Sequence, residues 1–182
     1  MKNIVLIGFM GTGKSAVGRR LAARLGREFV DTDEEIERVT GKTIAQIFAR
    51  DGEIRFRSEE ALVVKKIAAR ENLVVATGGG VVLNPENVRA LQKNGVLIGL
   101  TAAPEIICRR VKRKRNRPLL NVPGDVLERI KTLLAGRAEA YAVAEFTVDT
   151  GGLTVDGVVE RIVAYLEERG LIPPVPVRGA DK

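Results

Sequence analysis

The residues best equipped for chemistry stand near the start of the chain, where Gly8 to Ser15 read Gly-Phe-Met-Gly-Thr-Gly-Lys-Ser. Glycines in this spacing let backbone N–H groups converge on a polyphosphate that side chains would keep away. Lys14 adds a point charge, Ser15 a hydroxyl ligand for Mg2+, and the helix beginning near Ala16 turns its N-terminus to the same anion. Gly11, Thr12, Gly13, Lys14, Ser15 and Ala16 are therefore the nucleotide-binding candidates. A structural turn would explain the glycines but not the Lys-Ser pair that follows them.

Asp31-Thr32-Asp33 is the second cluster. At the end of a strand, residues two apart point the same way. Two carboxylates beside a phosphate loop could divide the work, one holding Mg2+ through water and one accepting a substrate hydroxyl proton. Asp33 also precedes Glu34-Glu35-Ile36, where an aspartate is favoured as a helix N-cap; capping accounts for one aspartate, not both. The third cluster is Thr77-Gly78-Gly79-Gly80, directly after Leu73-Val74-Val75-Ala76. Many phosphate-loop proteins end that strand in a metal-serving aspartate. Glycines stand there instead, which makes Asp31 the best donor for Mg2+. They also let a ligand approach the backbone closely, with N–H groups offered to its oxygens.

Arg57 and Glu60 share a helical face and on spacing alone could be a surface ion pair. Arg137, after Gly136, could equally be a solvated arginine. The segment from Arg109 to Arg117 carries seven of the 30 basic residues and no acidic one, and outside it 23 basic residues meet 23 acidic, so the net charge of +7 is local. A nucleic-acid patch and a solvated helix end are both possible readings. No aromatic residue interleaves the run and Pro118 stops it, so a flap closing on phosphate charge is preferred.

The elements that must position these groups alternate. Strands are predicted at Asn3 to Ile7, Glu28 to Asp31, Leu73 to Thr77, Val96 to Leu100 and Phe146 to Val148, with helices between them, as in a parallel sheet with crossover helices. Near-continuous Val, Leu and Ile in the first, third and fourth predict burial on both faces. Gly26 ends the first helix, Thr43 and Gln46 form a capping box, and Asn84-Pro85 and Ala103-Pro104 open further helices. Thr154 to Arg169 is amphipathic. The rest, from Leu171 to Lys182, lacks periodicity and is expected to be a disordered tail.

With 182 residues, 45% of them apolar, the chain suits one domain, and its single cysteine, Cys108, excludes an internal disulfide framework. No run approaches the roughly 20 apolar residues of a membrane span, and a soluble, cytoplasmic protein is expected. Histidine is absent, so a general base must be a carboxylate, a lysine or water.

Taken together, the phosphate loop, Asp31-Thr32-Asp33, Phe56-Arg57 with Glu60, Gly78-Gly79-Gly80 and Arg117-Pro118-Leu119-Leu120 resemble shikimate kinase, a P-loop kinase family related to nucleoside monophosphate kinases. The resemblance spans about residues 1–170. It implies a three-layer α/β/α fold with a five-stranded parallel sheet, a helical substrate-binding insertion at about 33–60 and a mobile lid at about 112–124. It implies transfer of the γ-phosphoryl group of ATP, with Mg2+, to the 3-hydroxyl of shikimate by a monomer that needs neither membrane nor nucleic acid. Asp33 would hold the hydroxyl, Gly79 and Gly80 would contact substrate, and Arg57 and Arg137 would clamp its carboxylate in the bidentate way lysine cannot. Glu60 would orient Arg57, Arg117 would reach the transferring phosphoryl group, and Arg110 would lie over adenine. Val148-Asp149-Thr150 continues into Gly151-Gly152 without the arginine and proline often found there, so adenine contacts are expected from backbone and Arg110.

Three other classes compete. A GTPase would need an Asn-Lys-x-Asp motif, which is absent. A nucleic-acid-binding ATPase has only the basic segment behind it. Another small-metabolite kinase, such as a gluconate kinase, would share fold and phosphate loop; Arg57, Arg137 and the triple glycine argue against it.

Overall fold

Residues 1–112 and 124–175 are described in a computed structural model of the chain. The expected lid, apart from Lys112 and Gly124, lies outside the described residues, and so does Arg117. Five strands, β1 (Asn3–Ile7), β2 (Glu28–Asp31), β3 (Leu73–Ala76), β4 (Gly95–Thr101) and β5 (Phe146–Asp149), form one sheet in the order β2-β3-β1-β4-β5. Every pairing is parallel. The chain moves outward from β1 on one side and returns through β4 on the other, so the crevice above the C-terminal end of β1 lies where ligands bind in open sheets of this kind.

Helices α1 (Lys14–Leu25), α2 (Thr32–Thr40), α3 (Ile44–Ala68), α4 (Pro85–Lys93), α5 (Pro104–Lys112), α6 (Val126–Tyr141) and α7 (Val155–Glu168) connect and flank the strands. Side chains alternate across the sheet. Ile4 and Leu6 face Val17 and Leu21 of α1 and Ile162 and Leu166 of α7. Val5 and Ile7 face Val63, Val64 and Ile67 of α3 and Leu91 of α4. Each such buried aliphatic contributes about 1.5–3 kcal/mol relative to exposure, so two apolar layers grip a central sheet whose C-terminal edge is a rigid platform. A smaller cluster joins Phe9 and Met10 of the phosphate loop to Ile107, Cys108 and Val111 of α5 and Ile130 of α6. The loop is thereby fixed to the helices on both sides of the undescribed segment.

The α3 capping box forms as expected: Gln46 N–H donates to Thr43 Oγ1 at 3.2 Å, and Thr43 N–H to Gln46 Oε1 at 2.9 Å. One feature of α3 was not expected. Gly52, at φ 79° and ψ 173°, breaks it into two segments, a conformation that is close to glycine-only. Phe48 before the break and Phe56 after it meet with ring centroids 4.8 Å apart and tilted by 39°.

The disordered tail expected from Leu171 onward is corrected over its first part. Ile172 is buried in the layer formed by α1 and α7, with Leu171 and Val175 packed against it, and Val175 N–H donates to Glu167 Oε1. A lone isoleucine among prolines carries no periodicity, yet it has apolar surface to bury. Residues 176–182 lie outside the described residues.

Candidate functional site

Gly8, the first residue after β1, has a φ of 142°, and a Cβ there would stand 2.2 Å from the carbonyl oxygen of Leu100. Only glycine lets the loop leave the sheet along this path. Thr12 Oγ1 donates to Phe9 O at 2.8 Å, and the buried Lys14 Nζ donates to Gly8 O at 2.7 Å and Phe9 O at 2.8 Å. Gly13 begins α1 without a side-chain cap, which leaves the first-turn N–H groups available to an anion. Arg110 of α5 braces the loop from the far side: Nη1 donates to Gly11 O at 3.2 Å and Thr150 Oγ1 at 2.9 Å, and Nη2 to Thr150 O at 3.0 Å.

Asp31 and Asp33 divide differently from the expectation. Asp31, not Asp33, is the N-cap of α2, its Oδ1 accepting from Asp33 N–H at 3.0 Å. Asp33 lies in the first turn of the helix rather than on an extended strand. The other oxygen of Asp31, Oδ2, accepts from Ser15 Oγ at 2.7 Å. Between them, fully buried Thr32 accepts at Oγ1 from Gly78 N–H at 2.8 Å, which pins the glycine loop to the start of α2. The approach is close enough that a Cβ on Gly78 would stand 2.6 Å from Asp33 Oδ1.

Arg57, on the second segment of α3, donates through Nη1 to Glu60 Oε1 at 3.1 Å and Oε2 at 3.0 Å, and through Nη2 to Glu53 at 3.2 Å. Glu60 is only 1% exposed, so the pair is no surface bridge. Burial pushes the Glu60 carboxyl above the usual glutamate range; Arg57 opposes the rise, and the charge of Asp33 adds to it. For Arg57, burial works downward but is outweighed by Glu60 and Glu53, leaving the guanidinium held above its ordinary value. A Cβ on Gly80 would lie 2.4 Å from Arg57 Nη1. Arg137 of α6, which spacing alone allows to be solvated, is buried, with its guanidinium 5.7 Å from the Phe9 ring centroid. Its Nη1 is buried without a hydrogen-bond partner, as suits a guanidinium placed to receive a carboxylate.

These residues line two clefts that share a wall. One, of about 250 Å3, holds Phe48, Phe56, Arg57, Glu60, Gly80 and Arg137. The other, of about 300 Å3, holds Gly11, Gly13, Lys14, Ala16 and Arg110. Met10, Ser15, Asp31, Asp33, Gly78 and Gly79 line both. Of the expected residues, Thr12 is buried behind the loop, and Arg117 lies outside the described residues. Ser15 and Asp31 offer adjacent hard oxygens of the kind Mg2+ prefers. Among the described residues no three His, Cys, Asp or Glu side chains gather into a metal cage.

Sequence reasoning missed Thr32, Met10, Phe48 and Tyr141. Only Phe48 left a trace, as an aromatic that with Phe56 flanks Gly52.

Comparison with known proteins gives a consistent result. Residues 10–167 match the family model described as shikimate kinase. A shikimate kinase of Pelotomaculum thermopropionicum is 69% identical over 94% of this chain and 99% of its own length. One from Desulforudis audaxviator is 61% identical over 94% of this chain and 90% of its own. Among solved structures, a shikimate kinase from Acinetobacter baumannii in complex with shikimate superposes with a TM-score of 0.90 at 39% identity, covering 94% of this chain and 96% of that one.

Proposed function

The chain belongs to the shikimate kinase family, and from that membership and the two clefts we infer how its residues divide the transfer of the γ-phosphoryl group of ATP to the 3-hydroxyl of shikimate. The enzyme uses ATP as co-substrate and shikimate as acceptor. The observation that carries the division of labour is the shared wall: Asp33, Gly78 and Gly79 face both clefts, so donor and acceptor meet there.

On the nucleotide side, Gly11 to Ala16 cradle the phosphates with backbone N–H groups and Lys14 neutralises charge on them. Lys14 is already buried on the carbonyls of Gly8 and Phe9, so its placement requires little reorganisation at the moment of reaction. Ser15 and, through water, Asp31 would hold Mg2+, which when bound neutralises charge developing between the β- and γ-phosphates. Arg110 fixes the floor of the loop against Thr150 and offers its face to the base. On the acceptor side, Arg57, oriented by Glu60, and Arg137 grip the carboxylate, and Phe48 and Phe56 pack the ring. The backbone of Gly79 and Gly80 contacts the hydroxyl-bearing side. Asp33 holds the 3-hydroxyl and takes its proton as the oxygen attacks phosphorus in line; holding both partners together supplies most of the advantage. Arg117 is assigned the transferring phosphoryl group, and the 112–124 segment the role of lid, on sequence alone.

No helix among the described residues is long and apolar enough to cross a membrane. Cytoplasmic residence and a monomeric state complete the proposal, the single unpaired thiol of Cys108 suiting a reducing compartment.

ADP release with Mg2+ and ATP, compared for shikimate, gluconate, nucleoside monophosphates and no acceptor, tests the reading. Stimulation by shikimate alone is expected. Stimulation by gluconate instead would retain Asp33 and the phosphate loop but overturn the carboxylate clamp.

A further inference from the structure

Tyr141 stands one helical turn beyond Arg137 on α6, which places the two side chains on one face. Its ring is packed where two of the apolar clusters meet, the α3 layer and the one around Phe9 and Met10. Its hydroxyl donates to the carbonyl oxygen of Gly79 at 2.6 Å, and the Arg137 guanidinium lies close enough for its charge to act on that hydroxyl. A phenol oxygen that donates keeps lone pairs that can face a cation. Arg137 thus neighbours the hydroxyl that holds the Gly79 carbonyl.

That carbonyl is no ordinary anchor. The Gly79–Gly80 peptide is trans, so its C=O and the N–H of Gly80 point in opposite directions. Holding the carbonyl on Tyr141 therefore sets the direction of the Gly80 N–H. The three glycines provide no side chains to set it themselves. The loop is held on one flank by Thr32 at Gly78 and on the other by Tyr141 at Gly79, and the second tether shares a helix face with Arg137, which is proposed to bind the carboxylate. Burial raises the Tyr141 hydroxyl above its ordinary value, with Arg137 pulling it back down, so it stays protonated and remains a donor at neutral pH.

We propose that Tyr141 is a positioning residue that couples the carboxylate clamp to the glycine loop, so that gripping the acceptor's carboxylate at Arg137 also orients the backbone N–H groups facing its hydroxyls. The inference rests on the assignment of Arg137 to the carboxylate. In chemical terms, an acceptor lacking the carboxylate loses more than one ion pair, because the loop that reads its hydroxyls is no longer braced by an occupied Arg137.

The test is Tyr141→Phe, which removes one oxygen and keeps the ring. One hydrogen bond corresponds to a change of roughly two- to twelvefold, expected in the KM for shikimate, with the KM for ATP unmoved. In an Arg137→Met background the same substitution should have little further effect, because the guanidinium beside the hydroxyl is already gone. An unchanged shikimate KM, equal weakening of both substrates, or the same factor in both backgrounds would overturn the proposal. Should Tyr141→Phe fail to fold, 3-fluorotyrosine in the otherwise native enzyme gives a second readout. Only two tyrosines exist, and Tyr165→Phe assigns the resonances. The Tyr141 fluorine signal should shift on adding shikimate and not on adding ATP; a signal indifferent to shikimate overturns the coupling. Arg137→Met with a normal shikimate KM would instead sink the clamp assignment itself, so the two failures are distinguishable.

Discussion

Glu60→Gln separates the charge of the buried carboxylate from its shape. The side chain is 1% exposed and receives two hydrogen bonds from Arg57, itself 27% exposed. The substituted amide keeps one acceptor oxygen and turns the other position into a donor that faces a guanidinium with nothing to accept. Losing a charged acceptor is worth about 1.5–3 kcal/mol when the partner stays buried. Arg57 keeps Glu53 and some water, so the lower end applies: about 1.5 kcal/mol, or roughly a twelvefold rise in the KM for shikimate. The pH behaviour is more diagnostic. The Glu60 pKa is raised, chiefly by burial. Below it the carboxyl is neutral and Arg57 loses its charged partner, so the wild-type KM for shikimate should climb toward acid at a pH above the usual glutamate range. Glu60→Gln should lack that limb. Stability moves the other way. A folded-state pKa above the unfolded value means that the folded protein holds its proton more tightly, so this group's contribution is full below the unfolded value and lost as pH rises through the folded one. The glutamine variant should therefore melt no lower than wild type near neutrality, and lower relative to it in acid. Steady-state kinetics from pH 5 to 9 with parallel thermal melts provide the assay. A variant that retains the acid limb, or melts well below wild type only at neutral pH, would refute the assignment of a buried carboxylate orienting Arg57.

Gly80→Ala would put a methyl 2.4 Å from Arg57 Nη1 and displace the guanidinium, so kcat/KM for shikimate should fall on the order of 100-fold while nucleotide affinity, read by ADP titration, holds. Asp31→Asn keeps a competent helix cap but weakens the oxygen pair with Ser15; the Mg2+ concentration for half-maximal activity should rise roughly tenfold or more, and an unchanged Mg2+ titration would remove Asp31 from that role. Thr32→Val strips the buried Gly78 N–H of its acceptor, at a cost of about 2 kcal/mol, seen as a Tm lowered by about 4–8 °C for a chain of this size; a melting temperature indistinguishable from wild type would mean that the loop is held by other contacts. Lys14→Ala should abolish turnover, and normal ADP release by that variant would end the phosphate-loop assignment.

The strands were legible because their signal is local: aliphatic runs bounded by glycine and capping residues predict buried strands, and the structure has all five within a residue or two. The phosphate loop was legible for the same reason, its eight residues being contiguous. Which of the aspartates caps α2 was not, because Asp31, Thr32 and Asp33 are all good N-caps and nothing local chooses among them. What chose was Ser15, sixteen residues away, whose hydroxyl holds Asp31 at the helix mouth. Arg57 and Arg137 could be named from a family pattern, but spacing could not reveal that both line one cleft. Tyr141 and Thr32 act through contacts 62 and 46 residues distant, and no periodicity encodes a partner that far along the chain.

The shared wall between the two clefts has a bearing on how such an enzyme diversifies. Residues seen only from the acceptor side come from α2, α3, the glycine loop and α6, whereas those seen only from the nucleotide side come from the loop after β1, α1, α5 and Thr77 just after β3. Changing Phe48 or Phe56 alters the guest on one side without touching the host of the phosphates, whereas Arg137 also stands over Phe9 of that host. Met10, Ser15, Asp31, Asp33 and the first two glycines answer to both and are the least free to vary. The molecule is in effect a fixed donor socket behind a replaceable faceplate, and the break at Gly52, which folds α3 so that Phe48 meets Phe56, marks where the faceplate can be recut with least disturbance to the sheet.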